Sequence, residues 1–118
     1  MARNWLELQT DNPEAAKSFY ETAMNWTTVA TSLPTYWKFV DSHGEVKAGL
    51  AFNTNITGRN DWLSYIFLDE PDAIVTATVA NGGSIIVPAH NHPILGRRAV
   101  LQDNRGAMFG VFNGDPYT

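Results

Sequence analysis

The chain lacks cysteine altogether, is poor in charge and has no long apolar run. The absence of cysteine excludes disulfides and thiolate chemistry. No run approaches the roughly 18 apolar residues that a membrane-spanning helix needs, so no membrane partner is expected. The opening segment MARNWLELQT also lacks the continuous apolar stretch of a secretory signal, and a cytoplasmic location is expected.

Basic charge is scarce as well. The chain has 8 lysines and arginines against 12 aspartates and glutamates, for a formal net charge of −4. The one tight basic cluster, Arg97-Arg98, is typical of a solvated loop or a strand edge. Because an acidic chain does not favour a phosphate-rich surface, no nucleic-acid partner is expected.

What the chain does have is an internal repeat. Residues 11–15 read DNPEA, and residues 69–73, 58 positions later, read DEPDA. Each segment follows an apolar stretch with strand character and precedes a pattern with helical periodicity. An Asp or Asn oxygen can cap such a helix, and proline is tolerated in its first turn.

A second match lies later in each half. Residues 41–44 read DSHG and residues 103–106 read DNRG, at an offset of 62 positions, and each is typical of a turn between two apolar runs. Both halves therefore predict a strand, a helix and three further strands. The length of 118 residues favours a single domain, 1–118, made of two pseudo-repeats at about 4–54 and about 61–113.

Three segments carry a resemblance to a known family: WLELQTDNPEAAKSFYETAMNW, WLSYIFLDEPDA and GRRAVLQDNRGAMFGVF. With them the chain resembles the glyoxalase / bleomycin-resistance / extradiol-dioxygenase superfamily, also called vicinal oxygen chelate, from about Asn4 to Asn113. The resemblance implies an α+β fold in which two βαβββ units form a curved, mostly antiparallel sheet around a cavity, with the helices outside. It also implies a small-molecule ligand and a homodimer.

The metal enzymes of that family hold a divalent ion with His and Glu side chains on the first and last strands of each unit. Carried over to this chain, the resemblance places Trp5 and Leu63 at the first-strand positions and Ala48 and Gly110 at the last-strand positions. None of these residues offers a side-chain lone pair that ligates a cation. The chain is therefore expected to hold no metal at these positions and no other cofactor.

Histidine occurs at only three positions. His43 is expected to be solvated in the first DSHG turn. His90 and His92 have a spacing that can chelate a metal on a strand, but they lie between Pro88 and Pro93 in the longer connection of the second half. A solvated loop at the rim of the cavity is the favoured interpretation, and a metal site is the alternative.

Strand alternation predicts which side chains line the cavity. Leu6 and Leu8 are expected to pack under the first helix, which turns their neighbours toward the cavity. The predicted ligand-binding residues are Trp5, Glu7, Gln9, Trp37, Leu63, Tyr65, Phe67, Met108 and Phe112. Further positions expected to face the cavity are Val46, Ala48, Leu50 and Gly110. The residues expected to face the second helix are Ser64, Ile66 and Leu68.

Glu7 and Tyr65 occupy equivalent positions 58 residues apart, so they are expected to approach each other in one cavity. Two interpretations of Glu7 stay open. It recognises a ligand or acts as an acid/base catalyst, or it forms a hydrogen bond with Tyr65 that satisfies a buried polar pair. Trp5 likewise either fills the core or stacks on a ligand.

These observations favour a metal-free small-molecule binding protein whose ligand is apolar or aromatic, with enough positive charge to interact with Glu7. The resemblance supplies a precedent, because resistance proteins of the superfamily sequester antibiotics without a metal. The alternative is a lyase- or dioxygenase-type enzyme of the same superfamily, either metal-dependent or using Glu7 as an acid/base. A third possibility is a regulatory or scaffolding dimer.

Overall fold

A computed structural model describes residues 3–118, and within them the chain divides into two compact units. The first unit comprises Leu6–Trp62 together with Tyr117–Thr118. The second comprises Leu63–Pro116 together with residues 3–5. Neither of the helices in this part of the chain is long and apolar enough to cross a membrane.

The first half of the chain folds into one helix and four strands. In chain order these are β1 (Trp5–Thr10), α1 (Pro13–Ala23), β2 (Thr27–Ala30), β3 (Tyr36–Val40) and β4 (Val46–Phe52). The strands lie in the order β2-β3-β4-β1. The β2–β3 and β3–β4 pairs are antiparallel, whereas β1 and β4 run parallel.

The second half repeats this arrangement. Its elements are β5 (Asp61–Phe67), α2 (Pro71–Ala80), β6 (Ser84–His92), β7 (Gly96–Gln102) and β8 (Met108–Phe112). The strands lie in the order β6-β7-β8-β5, again with two antiparallel pairs and one parallel pair, β5–β8. The predicted α+β class with two βαβββ units is confirmed. The count of one domain stays a prediction.

The two helices begin at the repeated Pro, but only one of them has a side-chain cap. The Asn12 side chain accepts a hydrogen bond from the backbone N–H of Ala15 at 3.1 Å, and Pro13 begins α1. At the equivalent place in α2, Glu70 makes no capping hydrogen bond through its side chain. The repeated sequence therefore fixes where both helices begin, but a side-chain cap stabilises only the N-terminus of α1.

Both predicted turns form, and they use the same hydrogen bonds. The carboxylate of Asp41 accepts from the backbone N–H groups of His43 and Glu45, both at 2.9 Å. Asp103 does the same two and four residues further on, at 2.8 and 3.0 Å. In each turn, backbone hydrogen bonds hold the pKa of the aspartate below its usual value. His43 is exposed in its turn, as expected.

Strand β4 contains a β-bulge that shifts the equivalence between the two halves. Its extra residue is Lys47, at which the β3–β4 register moves by one, whereas the β7–β8 ladder runs without a shift. Beyond the bulge, the residue that corresponds to Gly110 is therefore Gly49. The expected equivalence of Ala48 with Gly110 is wrong for this reason.

Each helix covers a small apolar cluster on one face of its sheet. In the first unit the buried residues of this cluster are Leu8, Phe39, Ala48 and Leu50, packed against Ala16, Tyr20, Trp26, Trp37 and Trp62. In the second unit they are Ala99, Leu101 and Val111, packed against Leu68, Ile74, Val75, Ala89 and Phe109. We call these surfaces the helix faces and the opposite sheet surfaces the far faces.

Several predicted orientations are corrected by these clusters. Ala48 and Leu50 lie on the helix face of the first unit, because the bulge at Lys47 reverses the alternation in β4. Leu8 packs under α1 as expected, but Leu6 is 47% exposed. Ile66 is 40% exposed and Ser64 is exposed as well. Leu6, Ser64 and Ile66 are exposed because the helices pack mainly against other strands than β1 and β5. Helix α1 packs mainly against β2 and β4, and α2 packs against β6 to β8.

The different N-caps of α1 and α2 allow a mutational test in which one helix is the control for the other. We expect Asn12→Ala to lower the free energy of unfolding by about 0.5–2 kcal/mol, because an N–H group of the first turn loses its acceptor. Glu70→Ala, at the same place in α2, should change it by less than about 0.5 kcal/mol. Urea unfolding followed by circular dichroism measures both. Equal losses in the two variants would contradict the difference between the caps.

Candidate functional site

The far faces of the two units carry most of the polar and aromatic residues predicted to bind a ligand. The strand pairings place Glu7 next to Gly49, and Gln9 next to Ala51, on the far face of the first unit. On the far face of the second unit they place Tyr65 next to Gly110, and Phe67 next to Phe112. In each unit the first strand thus presents large side chains, and a glycine of the last strand lies beside one of them.

A hydrogen-bonded pair, Glu7 and Gln9, lies on the far face of the first unit. Gln9 donates from Nε2 to Oε2 of Glu7 at 3.0 Å, and the two residues are only 0% and 2% exposed. Alternation on β1 predicted that these residues share a face, and the bond confirms it. The amide oxygen of Gln9 is buried and has no hydrogen-bond partner in the described part of the chain. A buried acceptor of this kind is an available partner for a ligand donor.

The positions that hold metal in the family's enzymes do not offer ligands here. Trp5 and Leu63 are buried, at 1% and 2% exposure, and neither has a metal-binding atom. The last-strand positions, Gly49 and Gly110, have no side chain. Across residues 3–118, no group of three or more His, Cys, Asp or Glu side chains is arranged to hold an ion. The donor set therefore does not fit a metal.

Gly110 has a clear structural use instead. A Cβ atom added there would come within 2.2 Å of Cδ1 of Tyr65, because the tyrosine ring lies directly over the glycine. Strand β8, which carries Gly110, lies between β5 and β7. The glycine thus lets the Tyr65 ring pass over β8, and its hydroxyl accepts a hydrogen bond from Nη1 of Arg98 on β7 at 2.7 Å.

Arg98 also contacts a histidine on the next strand. Its Nε donates to Nε2 of His90 at 3.3 Å, and Nδ1 of His90 lies 2.9 Å from the carbonyl oxygen of Pro88. Since a carbonyl only accepts, a proton of His90 belongs on Nδ1, and Nε2 accepts from Arg98. Tyr65, Arg98 and His90 form one connected group that we call the Arg98 cluster.

His92 supports the turn that follows this cluster. Its Nδ1 accepts from the backbone N–H groups of Ile94 and Leu95 at 3.1 and 3.2 Å. Burial, followed by the charges of Arg98 and His90, lowers the pKa of His92 to about 4. The ring is therefore neutral at neutral pH.

The structure corrects the expected setting of both histidines. The sequence predicts a loop around them, but β6 continues through His92 and pairs with β7, with His90 opposite Arg98. The longer second half is accommodated by a longer strand pair with bulges, not by a longer loop. The sequence favours a solvated loop or a strand edge for Arg97-Arg98, but both residues lie within β7 and are half-buried. Arg98 lies two residues before the buried Val100 in β7, so strand alternation indicates that both side chains lie on the same face.

The other predicted ligand-binding residues divide between the two sheet faces. Phe67 and Met108 are half-buried and Phe112 is fully buried, and all three lie on the far face of the second unit. Trp37 lies on the helix face of the first unit, where its ring packs below Nζ of Lys17 at 4.1 Å. Trp37 therefore does not share a face with Glu7.

An open groove of about 440 Å³ lies on the helix side of the first unit. Its lining residues are Leu8, Thr10, Asp11, Asn12, Ala15, Ala16, Phe19, Tyr20, Asn60, Asp61 and Trp62. The Asn60 side chain holds one end of it, accepting from the Thr10 hydroxyl at 2.6 Å and from the Asp11 N–H at 3.0 Å. None of the residues predicted to bind a ligand lines this groove.

The fold and the repeated first-and-last-strand pairing define an α+β protein of the duplicated βαβββ class. Residues 2–111 match the model of the "Glyoxalase/Bleomycin resistance protein/Dioxygenase superfamily". The chain belongs to this superfamily, and the resemblance seen in the sequence is confirmed.

Known proteins of related sequence and structure agree with this. "Putative glyoxylase CFP32" of Mycobacterium bovis is 32% identical over 114 residues, which are 95% of this chain and 44% of that protein. "Anthracycline biosynthesis protein DnrV" of Streptomyces peucetius is 32% identical over 109 residues, 91% of this chain and 39% of that one. The solved structure of Streptomyces coelicolor methylmalonyl-CoA epimerase matches with a TM-score of 0.61 at 12% identity, covering 97% of each chain. The chain thus spans less than half the length of these two sequence relatives.

The low pKa of His92 predicts that the free energy of unfolding falls at acid pH because this ring takes up a proton. In the unfolded chain His92 takes up a proton near pH 6.5, whereas in the folded chain it does so only near pH 4. The stability linked to this group is therefore complete above about pH 6.5 and falls as the pH drops toward about 4. Asparagine can supply the same acceptor to a turn without titrating, so His92→Asn should reduce this loss.

The measurement is the urea midpoint of both proteins at several pH values between about 7.5 and 4. His92→Ala serves as a control, because it removes the turn acceptor and should be less stable at every pH. The interpretation is wrong if wild type and His92→Asn lose stability in parallel as the pH falls.

Proposed function

We propose that this chain is a small-molecule binding protein of the glyoxalase / bleomycin-resistance superfamily that works without a metal. Its ligand has an apolar or aromatic body and a hydrogen-bond-donating or cationic group. The main support is the buried Glu7–Gln9 pair, whose carboxylate and amide oxygens lie on the far face of the first unit. The residues at the family's metal positions support the metal-free part, because they have no ligating atoms.

The chemistry of the Glu7–Gln9 pair favours a ligand with donors. Both residues are almost fully buried, and the Gln9 amide oxygen accepts no hydrogen bond in the described chain. Leaving a buried acceptor without a partner costs about 1–3 kcal/mol, which a donor from a ligand would offset. The neighbouring residues on β4, Gly49 and Ala51, are small.

A second candidate function is an enzyme in which Glu7 transfers a proton. A buried carboxyl oriented by a neighbouring amide is a common arrangement for a general acid or base. This candidate is favoured only by the burial of Glu7 and its bond to Gln9, and it needs no metal. It differs from simple binding in requiring turnover that Glu7→Gln abolishes.

The proposal is tested with protein purified without a chelator or a histidine tag. We expect metal analysis to find no stoichiometric divalent ion after dialysis. Titration with benzylamine, an aromatic cation, should show binding that Glu7→Gln weakens by about 1–3 kcal/mol, the usual contribution of a charged hydrogen bond. The melting temperature should stay nearly unchanged. Glu21→Gln removes the same charge from an exposed site on α1 and should bind benzylamine like wild type.

Two results would contradict the proposal. One equivalent of zinc, nickel, iron or manganese that survives dialysis would refute the metal-free part. A Glu7→Gln variant that melts at a lower temperature yet binds every tested amine as well as wild type would assign Glu7 a purely structural role.

We also propose that the protein is a homodimer. The first unit exposes several large apolar side chains, among them Phe19 at 61% and Phe52 at 53%, which an association surface would cover. Sedimentation equilibrium at micromolar concentration should give about twice the 13.1 kDa mass of the chain. A single species of 13.1 kDa would refute the dimer.

A further inference from the structure

Two adjacent arginines on β7 differ in whether a carboxylate pairs with them. Arg97 forms a two-point ion pair with Asp72 on α2, Nε to Oδ1 at 2.8 Å and Nη2 to Oδ2 at 3.0 Å. This partner raises the pKa of Arg97 above its usual value. Arg98 projects to the opposite face of the strand, and no carboxylate pairs with it anywhere in residues 3–118.

Neither partner of Arg98 is a carboxylate. The Tyr65 hydroxyl and Nε2 of His90 each accept one hydrogen bond from the guanidinium. They orient the group, but they do not neutralise its charge. Charged side chains that leave the solvent are usually paired with an opposite charge, and Arg98 is half-buried.

The guanidinium also retains unused donors. It has five N–H groups, of which two donate hydrogen bonds within the described chain. The others belong to Nη1 and Nη2, which together form the end of the planar fork. Such a fork matches the two oxygens of a carboxylate, whereas a lysine ammonium at the same place would act only as a point charge.

Aromatic side chains lie next to Arg98 on the same far face. Phe112 is its direct neighbour across the β7–β8 pair, and Phe67 packs edge-on against Phe112 with ring centroids 5.6 Å apart. Phe67 is half-buried, so part of this aromatic surface remains accessible. The setting combines one oriented cation with an apolar wall.

We propose that Arg98 is the anion-recognition residue of the second unit and binds the carboxylate of an aromatic or apolar organic acid. Tyr65 and His90 act as positioning residues that fix the guanidinium. The proposal rests on the proposed function only in taking the chain to bind a small molecule. It does not depend on Glu7 or on the absence of metal.

The test is calorimetric titration of the full chain with benzoate and, separately, with benzamide, which has the same ring but no charge. Wild type should bind benzoate at least about tenfold more tightly than benzamide. Arg98→Gln should reduce benzoate affinity by about tenfold or more and leave benzamide affinity unchanged. Arg97→Gln is the matched control, because it removes an equal charge one residue away, and it should change benzoate affinity by less than about twofold.

Arg98→Lys extends the test to the shape of the donor group. It retains the charge without the fork, so its benzoate affinity should fall between those of wild type and Arg98→Gln. Melting curves show whether each variant is folded, and Arg98→Lys carries the comparison if Arg98→Gln is not.

Three outcomes would overturn the proposal: no binding of benzoate by wild type, equal loss in the Arg97 and Arg98 variants, or inorganic phosphate bound as tightly as benzoate. If wild type binds benzamide and not benzoate, the first of these outcomes overturns the proposal and leaves the proposed small-molecule function in place.

Discussion

The parallel pairing of the first and last strands within each unit is the constraint on which the candidate site depends. This pairing places Glu7 beside Gly49 and Tyr65 beside Gly110. Because alternate residues of a strand point to opposite faces, one such pairing decides the orientation of the neighbouring side chains on both strands wherever no bulge intervenes. The helices then cover one face in each unit and leave the polar groups on the other.

Glycine on the last strand changes what this arrangement can do. In the family's enzymes the corresponding strand supplies a metal ligand, whereas in this chain Gly110 provides room for the Tyr65 ring. The ring crosses β8 and its hydroxyl meets Arg98. The position that supplies a metal ligand in those enzymes is thus Gly110 here, and it helps to orient the guanidinium of Arg98. The second unit therefore presents a positively charged side chain where the enzymes present a group that binds a metal ion.

The relatives share the fold of this chain but differ in the activities that their names state. Proteins named for glyoxylase activity and for anthracycline biosynthesis share about a third of their aligned residues with this chain, but the chain covers less than half of either. The epimerase of known structure shares the fold at 12% identity. A fold of this kind supports many chemistries, so function has to be argued from the side chains of the far faces.

The sequence by itself determined the repeated βαβββ order, the helix starts at Pro13 and Pro71 and the two aspartate turns. These features depend on interactions between residues close together in the chain, such as capping and turn hydrogen bonds. It also indicated that Glu7 and Gln9 share a face. Only the tertiary structure decided the bulge at Lys47, because a bulge is visible only against the partner strand.

The Arg98 cluster was decided at the tertiary level for the same reason. Its members come from three strands, β5, β6 and β7, and the local sequence of Arg97-Arg98 does not show which arginine has an ion-pair partner. Helix α2 brings Asp72 to Arg97, and the pairing of the strands brings Tyr65 to Arg98. Local sequence thus fixed the elements, and the pairing between distant strands fixed which side chains can act together.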